Sequence, residues 1–129
     1  MPSFDGSSYD PPAPVAMVGL RHSEEGDVVA DVALLIDTGA DITLLPRWAL
    51  ERLGIAPQAK ITYEIFAFEG SLSTAQAADL DMIFLNKAFR GRYLLTDQHH
   101  GILGRDVLNA LRVLFDGPAQ EWSEMTIPR

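Results

Sequence analysis

Apolar residues run in short bursts broken by polar turn residues, the pattern of half-buried strands rather than of long helices. Val15–Leu20 and Val28–Leu35 are apolar-rich and flank the polar Arg21–Asp27, which predicts a hairpin. The apolar run Ile42-Thr43-Leu44-Leu45 follows a small polar stretch. Pro46 then suits a first helical position, and Arg47–Leu53 with Gly54 behind it predicts a two-turn helix. Ile61–Phe68 alternates loosely, Glu69-Gly70-Ser71 reads as a turn, and Leu72–Ala78 as the return strand. Leu80–Leu85 and Phe89–Thr96 form a further hairpin about Asn86-Lys87. Ile102-Leu103 is a short buried strand, and Arg105–Leu111 a short helix with Val107, Leu108 and Leu111 on one face. Val113–Phe115 and Met125–Ile127 are the closing strands around Asp116-Gly117-Pro118. The sum is an all-β domain with one or two short helices and no internal repeat.

Length changes the picture little: 129 residues fit one domain, expected over 15–129. Residues 1–14, rich in Pro, Ser, Gly and Asp, are expected to be a flexible N-terminal leader. The leader has neither an apolar run nor a basic start, so it is not a signal peptide, and no apolar stretch approaches the roughly 18 residues of a membrane span. A cytoplasmic location without membrane association is the default expectation. Ten Lys plus Arg against eighteen Asp plus Glu give a formal charge of −8, which disfavours nucleic acid as a partner. The absence of cysteine excludes disulfides, thiol catalysis and Cys-based metal sites. His99-His100 lack chelating spacing and read as a loop, so no metal and no cofactor is expected. Trp48 reads as core and Trp122 as edge packing or interface.

The chemistry lies in Leu34-Leu35-Ile36-Asp37-Thr38-Gly39-Ala40, a hydrophobic strand ending abruptly in a carboxylate. Such an acid needs donors, a partner sharing its proton, or solvent. Thr38 offers a hydroxyl, and Gly39 lets a backbone N–H approach closely. A bare Asp-Thr-Gly is most simply an Asx-type turn; the aliphatic flanks favour an acid held for acid–base work. The segment through Asp41 resembles the active-site motif of the retroviral-type aspartic proteases, the retropepsin-like family. Ile102-Leu103-Gly104-Arg105-Asp106-Val107-Leu108 resembles that family's second motif, a hydrophobic-hydrophobic-glycine strand passing beside the active-site loop into a short helix. The resemblance implies a closed, single-lobed acid-protease fold and an aspartic endopeptidase.

That reaction needs two carboxylates sharing a proton, and the chain holds one such motif. Asp5-Gly6-Ser7, Asp116-Gly117-Pro118, Asp79, Asp81 and Asp97 all lack its context. A twofold homodimer is therefore expected, pairing Asp37 with its own copy and acting on an extended peptide or protein substrate. The resemblance assigns catalysis to Asp37, Thr38 and Gly39, with Thr38 bonding across the axis. Substrate contacts go to Ala40, Asp41, Phe66, Phe68, Gly70 and Ile102, and structural or interface roles to Gly104 and Arg105. An Asp41–Arg105 ion pair is expected, with two unconnected surface charges as the plain alternative. The flap that closes over substrate is placed at Tyr63–Ala75, although Glu69 and the scarcity of glycine depart from the family pattern. The rival reading is a catalytically silent module of the same fold that dimerises or binds peptide.

Overall fold

The computed structural model describes residues 2–66 and 72–126, and the side chains of residues 58–66 and 72–74 are not described. Its elements in chain order are β1 (Val15–Arg21), β2 (Val28–Ile36), β3 (Leu44–Pro46), α1 (Arg47–Leu53), β4 (Gln58–Phe66) and β5 (Leu72–Phe84). They continue with β6 (Lys87–Thr96), β7 (Gly101–Leu103), α2 (Arg105–Leu108), β8 (Val113–Asp116) and β9 (Glu121–Glu124). The architecture is the mostly β one expected, with two short helices.

Strands run β1-β2-β7-β3-β6-β5, and an added β1–β5 pairing closes these six into a barrel, with β4 attached outside β5. Period-two burial fills the barrel: Val32, Leu34 and Ile36 of β2 face the core beside Val18 and Leu20 of β1 and Leu80 and Met82 of β5. Helix α1 covers one opening with Ala49 and Leu50. It ends where expected, at Gly54, whose φ of 68° suits a residue without Cβ. The hairpin β8–β9 plugs another side with Trp122, 2 % exposed, whose Nε1 donates to the Val15 carbonyl at 3.2 Å.

Several elements differ from the sequence reading, among them α2, which ends at Leu108 instead of Leu111. Pro46 closes β3 instead of opening the helix, with extended φ and ψ of −68° and 130°. Strand β5 is continuous through Asp79, where a break was expected. Asp79 lies opposite Arg92 on β6 and accepts from its guanidinium at 2.8 and 3.1 Å. Asp81, buried, is met by Arg21 at 3.0 Å and Arg90 at 3.5 Å. Cross-strand partners thus let polar residues stay in the ladder. The last strand lies earlier than Met125–Ile127, because Trp122 is the side chain the core takes; Met125 is exposed, and Ile127 lies outside the described residues.

Residues 2–14, expected as a leader, are bonded at several points. The Phe4 N–H donates to Gln120 O at 2.7 Å, Trp122 N–H to Pro2 O at 3.0 Å, and Ile36 N–H to Pro14 O at 3.0 Å. Asp5 and Ala13 exchange backbone bonds of 2.7 and 3.1 Å, closing residues 5–13 into a loop.

Candidate active site

Strand β7 decides the shape of the site. It lies between β2 and β3, the strands that precede and follow the loop at Asp37, parallel to β2 and antiparallel to β3. The loop therefore cannot splay: Asp37 N–H donates to Leu103 O at 3.1 Å, and Arg105 N–H to Ala40 O at 2.9 Å. Gly104 fits beneath it, since a Cβ there would fall 2.7 Å from the Ile42 carbonyl carbon and 3.1 Å from Ala40 O.

Asp37 itself is half-buried, at the end of a strand whose core-facing residues are Leu34 and Ile36. Alternation puts Leu35 and Asp37 on the other face. One carboxylate oxygen accepts the Gly39 N–H at 2.9 Å, and Ala40 N–H closes the turn on Asp37 O at 3.2 Å. The second carboxylate oxygen has no bond among the described residues, which leaves it open to a water or a substrate.

Arg105 donates from Nη1 to the Thr38 carbonyl at 2.7 Å. The expected Asp41–Arg105 ion pair is absent among the described residues; the guanidinium instead braces the loop backbone, and Asp41 is exposed. Thr38 is exposed, and its hydroxyl makes no bond among the described residues. Ile102 is half-buried opposite Leu35. For the flap hairpin, Tyr63 pairs with Ala75 and Phe66 with Leu72. Its base adjoins a small cluster of Ala75, Ala77 and Leu94 with Ile42 and Leu44. Phe68 and Gly70 lie outside the described residues, as does the side chain of Phe66.

Sequence reasoning missed Thr43 and Asp106. Thr43, fully buried, donates from Oγ1 to Asp106 Oδ1 at 2.6 Å and from its N–H to Oδ2 at 3.0 Å, while its hydroxyl accepts the Gly104 N–H at 3.0 Å. This ties the far end of the Asp37 loop to the start of α2. Asp106 sits inside the second quoted motif and Thr43 two residues past the first, but the bond spans 63 positions, so no local pattern marks it. Thr43→Val should cost about 2 kcal/mol, because a buried N–H and a carboxylate oxygen lose their partner. Urea unfolding measures this, and a loss below about 0.5 kcal/mol would show that the contact is dispensable.

A closed barrel carrying one Asp-Thr-Gly loop, with a strand threaded between the loop's two ends, defines a single-lobed acid-protease domain. A family model described as aspartyl protease matches residues 25–107, a span that includes both Asp37 and Gly104. The chain belongs to the aspartyl protease family. Among solved structures it is similar to the EIAV protease complexed with the inhibitor HBY-793, with TM-score 0.56 and 23 % identity over 76 % of this chain and 86 % of that one. At that identity the likeness speaks for the fold, which is retropepsin-like. No curated protein matches the sequence.

Proposed function

We propose that the protein is an aspartic endopeptidase that works as a homodimer, with one Asp37 from each subunit at the shared site. The observation that carries this is the braced loop presenting a single half-buried carboxylate with an open oxygen. Two such groups on a twofold axis cannot both ionise, so one holds the proton, the behaviour for which aspartic proteases are the standard case. The ionised carboxyl takes a proton from water as it attacks the peptide carbonyl, and the protonated one gives its proton to the carbonyl oxygen. The tetrahedral intermediate then collapses with proton transfer to the leaving amine.

Support for the dimer comes from the surface next to the loop. Thr38, Arg105, Asn109, Leu111, Val113 and Phe115 line a groove of about 200 Å³ with both polar and apolar walls, and Leu114 and Phe115 are 44 % and 41 % exposed. Residues 15–129 form the catalytic unit in this reading. Thr38 bonds to its copy across the axis, and Gly39 keeps the carboxylate in plane. Asp41 holds the substrate backbone, Ala40, Phe66, Phe68 and Ile102 line the pockets for its side chains, and Gly70 serves the turn of the flap. Substrate lies extended between flap and floor, held by main-chain bonds.

The test is cleavage of a diverse peptide mixture between about pH 4 and pH 7 across an enzyme dilution series. The rate should peak below neutrality and fall more steeply than in proportion to enzyme at high dilution. A profile still rising above neutrality would sink the shared-proton mechanism, and strict proportionality would sink the assembling dimer. A folded dimer that cuts nothing would favour the silent binding module.

A further inference from the structure

Strand β6 pairs with β5 from Lys87 to Leu94 but meets β3 only from Leu94 onward. Its first half therefore leaves one edge without a neighbouring strand among the described residues. Tyr93 guards that edge. Its ring lies back over Gly91, where a Cβ would fall 3.1 Å from the ring Cζ, and its hydroxyl donates to Phe89 O at 2.7 Å. Burial first, and then the carboxylates of Asp106 and Asp81, push the phenol up to about 12, with Arg90 opposing them. The hydroxyl stays neutral while charges of both signs stand near its ring.

Between this edge and α2 lies a pocket of about 230 Å³, room for a molecule the size of one amino acid. Phe89, Tyr93 and Val107 give it apolar walls, and Arg90, Arg92 and Asp106 give it charge. These charges do not cancel pair by pair. Arg92 is matched by Asp79, at 2.8 and 3.1 Å. Arg90, in contrast, shares the single carboxylate of Asp81 with Arg21, so those three side chains carry one positive charge in excess. Of the two arginines Arg90 is the more exposed, at 55 % against 21 %, and its Nε and Nη2 make no bond among the described residues. Asp106 is exposed and bonds to the neutral Thr43, with no cation within ion-pair distance among the described residues. The two bonds from Thr43 use about half of the roughly four acceptor positions of a carboxylate. One unbalanced cation and one unbalanced anion thus line the same cavity. A simple anion is repelled there by Asp106 and a simple cation by Arg90, whereas a zwitterion satisfies both.

We propose that this pocket binds a free α-amino acid with an apolar side chain. Its carboxylate lies on Arg90, its ammonium on Asp106, and its side chain against Phe89 and Val107. The site goes beyond the peptidase reading and needs no turnover. Through Asp106 its occupant also reaches Thr43, and so the far end of the Asp37 loop.

The experiment is a titration of the full chain with L-leucine, N-acetyl-leucine and leucine amide, read by NMR at the Val107 methyls, the Phe89 ring and the Thr43 amide. Leucine should shift these signals saturably, with a midpoint of about 1 mM. N-acetyl-leucine lacks the cation and leucine amide the anion, so each should bind about tenfold more weakly or worse. Arg90→Gln, a change at an exposed side chain, should weaken leucine about tenfold and leave leucine amide as it was. Arg90→Glu should reverse the preference, so that leucine amide outbinds leucine. Asp106→Asn should weaken leucine and leave N-acetyl-leucine unchanged; if it does not fold, the two Arg90 variants still decide the matter. No saturable response to leucine, equal binding of the three probes, or a leucine response untouched by both Arg90 variants would overturn the proposal. Such a failure leaves the peptidase reading standing, since no residue of the Asp37 loop lines this pocket.

Discussion

Asp37→Asn should lower the rate of peptide cleavage by about 1,000-fold or more while the protein stays folded. The substitution keeps the side chain's shape and an oxygen that accepts the Gly39 N–H, now 2.9 Å from Oδ1. What it removes is the acid–base function, because an amide neither takes a proton from water nor returns one. Stability should stay within about 0.5 kcal/mol, since no core contact is lost. The paired measurement is therefore cleavage rate beside urea midpoint. Equal cleavage by the two proteins would mean that another residue, or a contaminant, performs the reaction. A large fall in midpoint would mean that the activity loss reports unfolding.

The second large effect is structural and lies at the start of β7. A Cβ on Gly101 would fall 2.2 Å from the Leu44 carbonyl oxygen and 2.5 Å from Leu34 Cδ2. One of these is backbone of β3 and the other is a fully buried core side chain, so neither can yield cheaply. Gly101→Ala should cost about 3 kcal/mol or more, near the upper end for overpacking, and should reduce activity with it by displacing β7. Chemical unfolding of the variant gives the number. A cost under about 1 kcal/mol would show that β7 shifts without consequence, and the bracing of the Asp37 loop would have to come from elsewhere.

The fold was legible where local chemistry and tertiary position agree. Helix α1 has its glycine stop, β2 has alternating aliphatics up to Asp37, and both matched the structure. The Asp37 loop and the strand at Ile102 were legible as a pair because both resemble motifs of one family, and the structure shows the physical reason for the pairing in the close backbone approach at Gly104. Asp79 was misread because a charge in a strand looks like a turn until its cross-strand arginine is known. The closing strand was misplaced for a related reason: Trp122 looked peripheral in sequence and is among the largest fully buried side chains. Arg105 was expected to pair with Asp41, yet its partner is the Thr38 backbone carbonyl, which no residue pattern reveals. Residues 2–14 have the composition of a linker, and their bonds go to backbone atoms of Gln120, Trp122 and Ile36, again invisible to composition.

The threading of β7 between β2 and β3 also sets a schedule. During synthesis Asp37 leaves the ribosome long before Gly101–Leu103, and until that strand arrives the two ends of the Asp37 loop have nothing between them. Barrel closure likewise waits for β5 and β6, and such long-range pairings form late in folding. A nascent or C-terminally shortened chain thus carries Asp37 in an unformed loop. On the proposed peptidase reading, a finished fold becomes the condition for cutting anything.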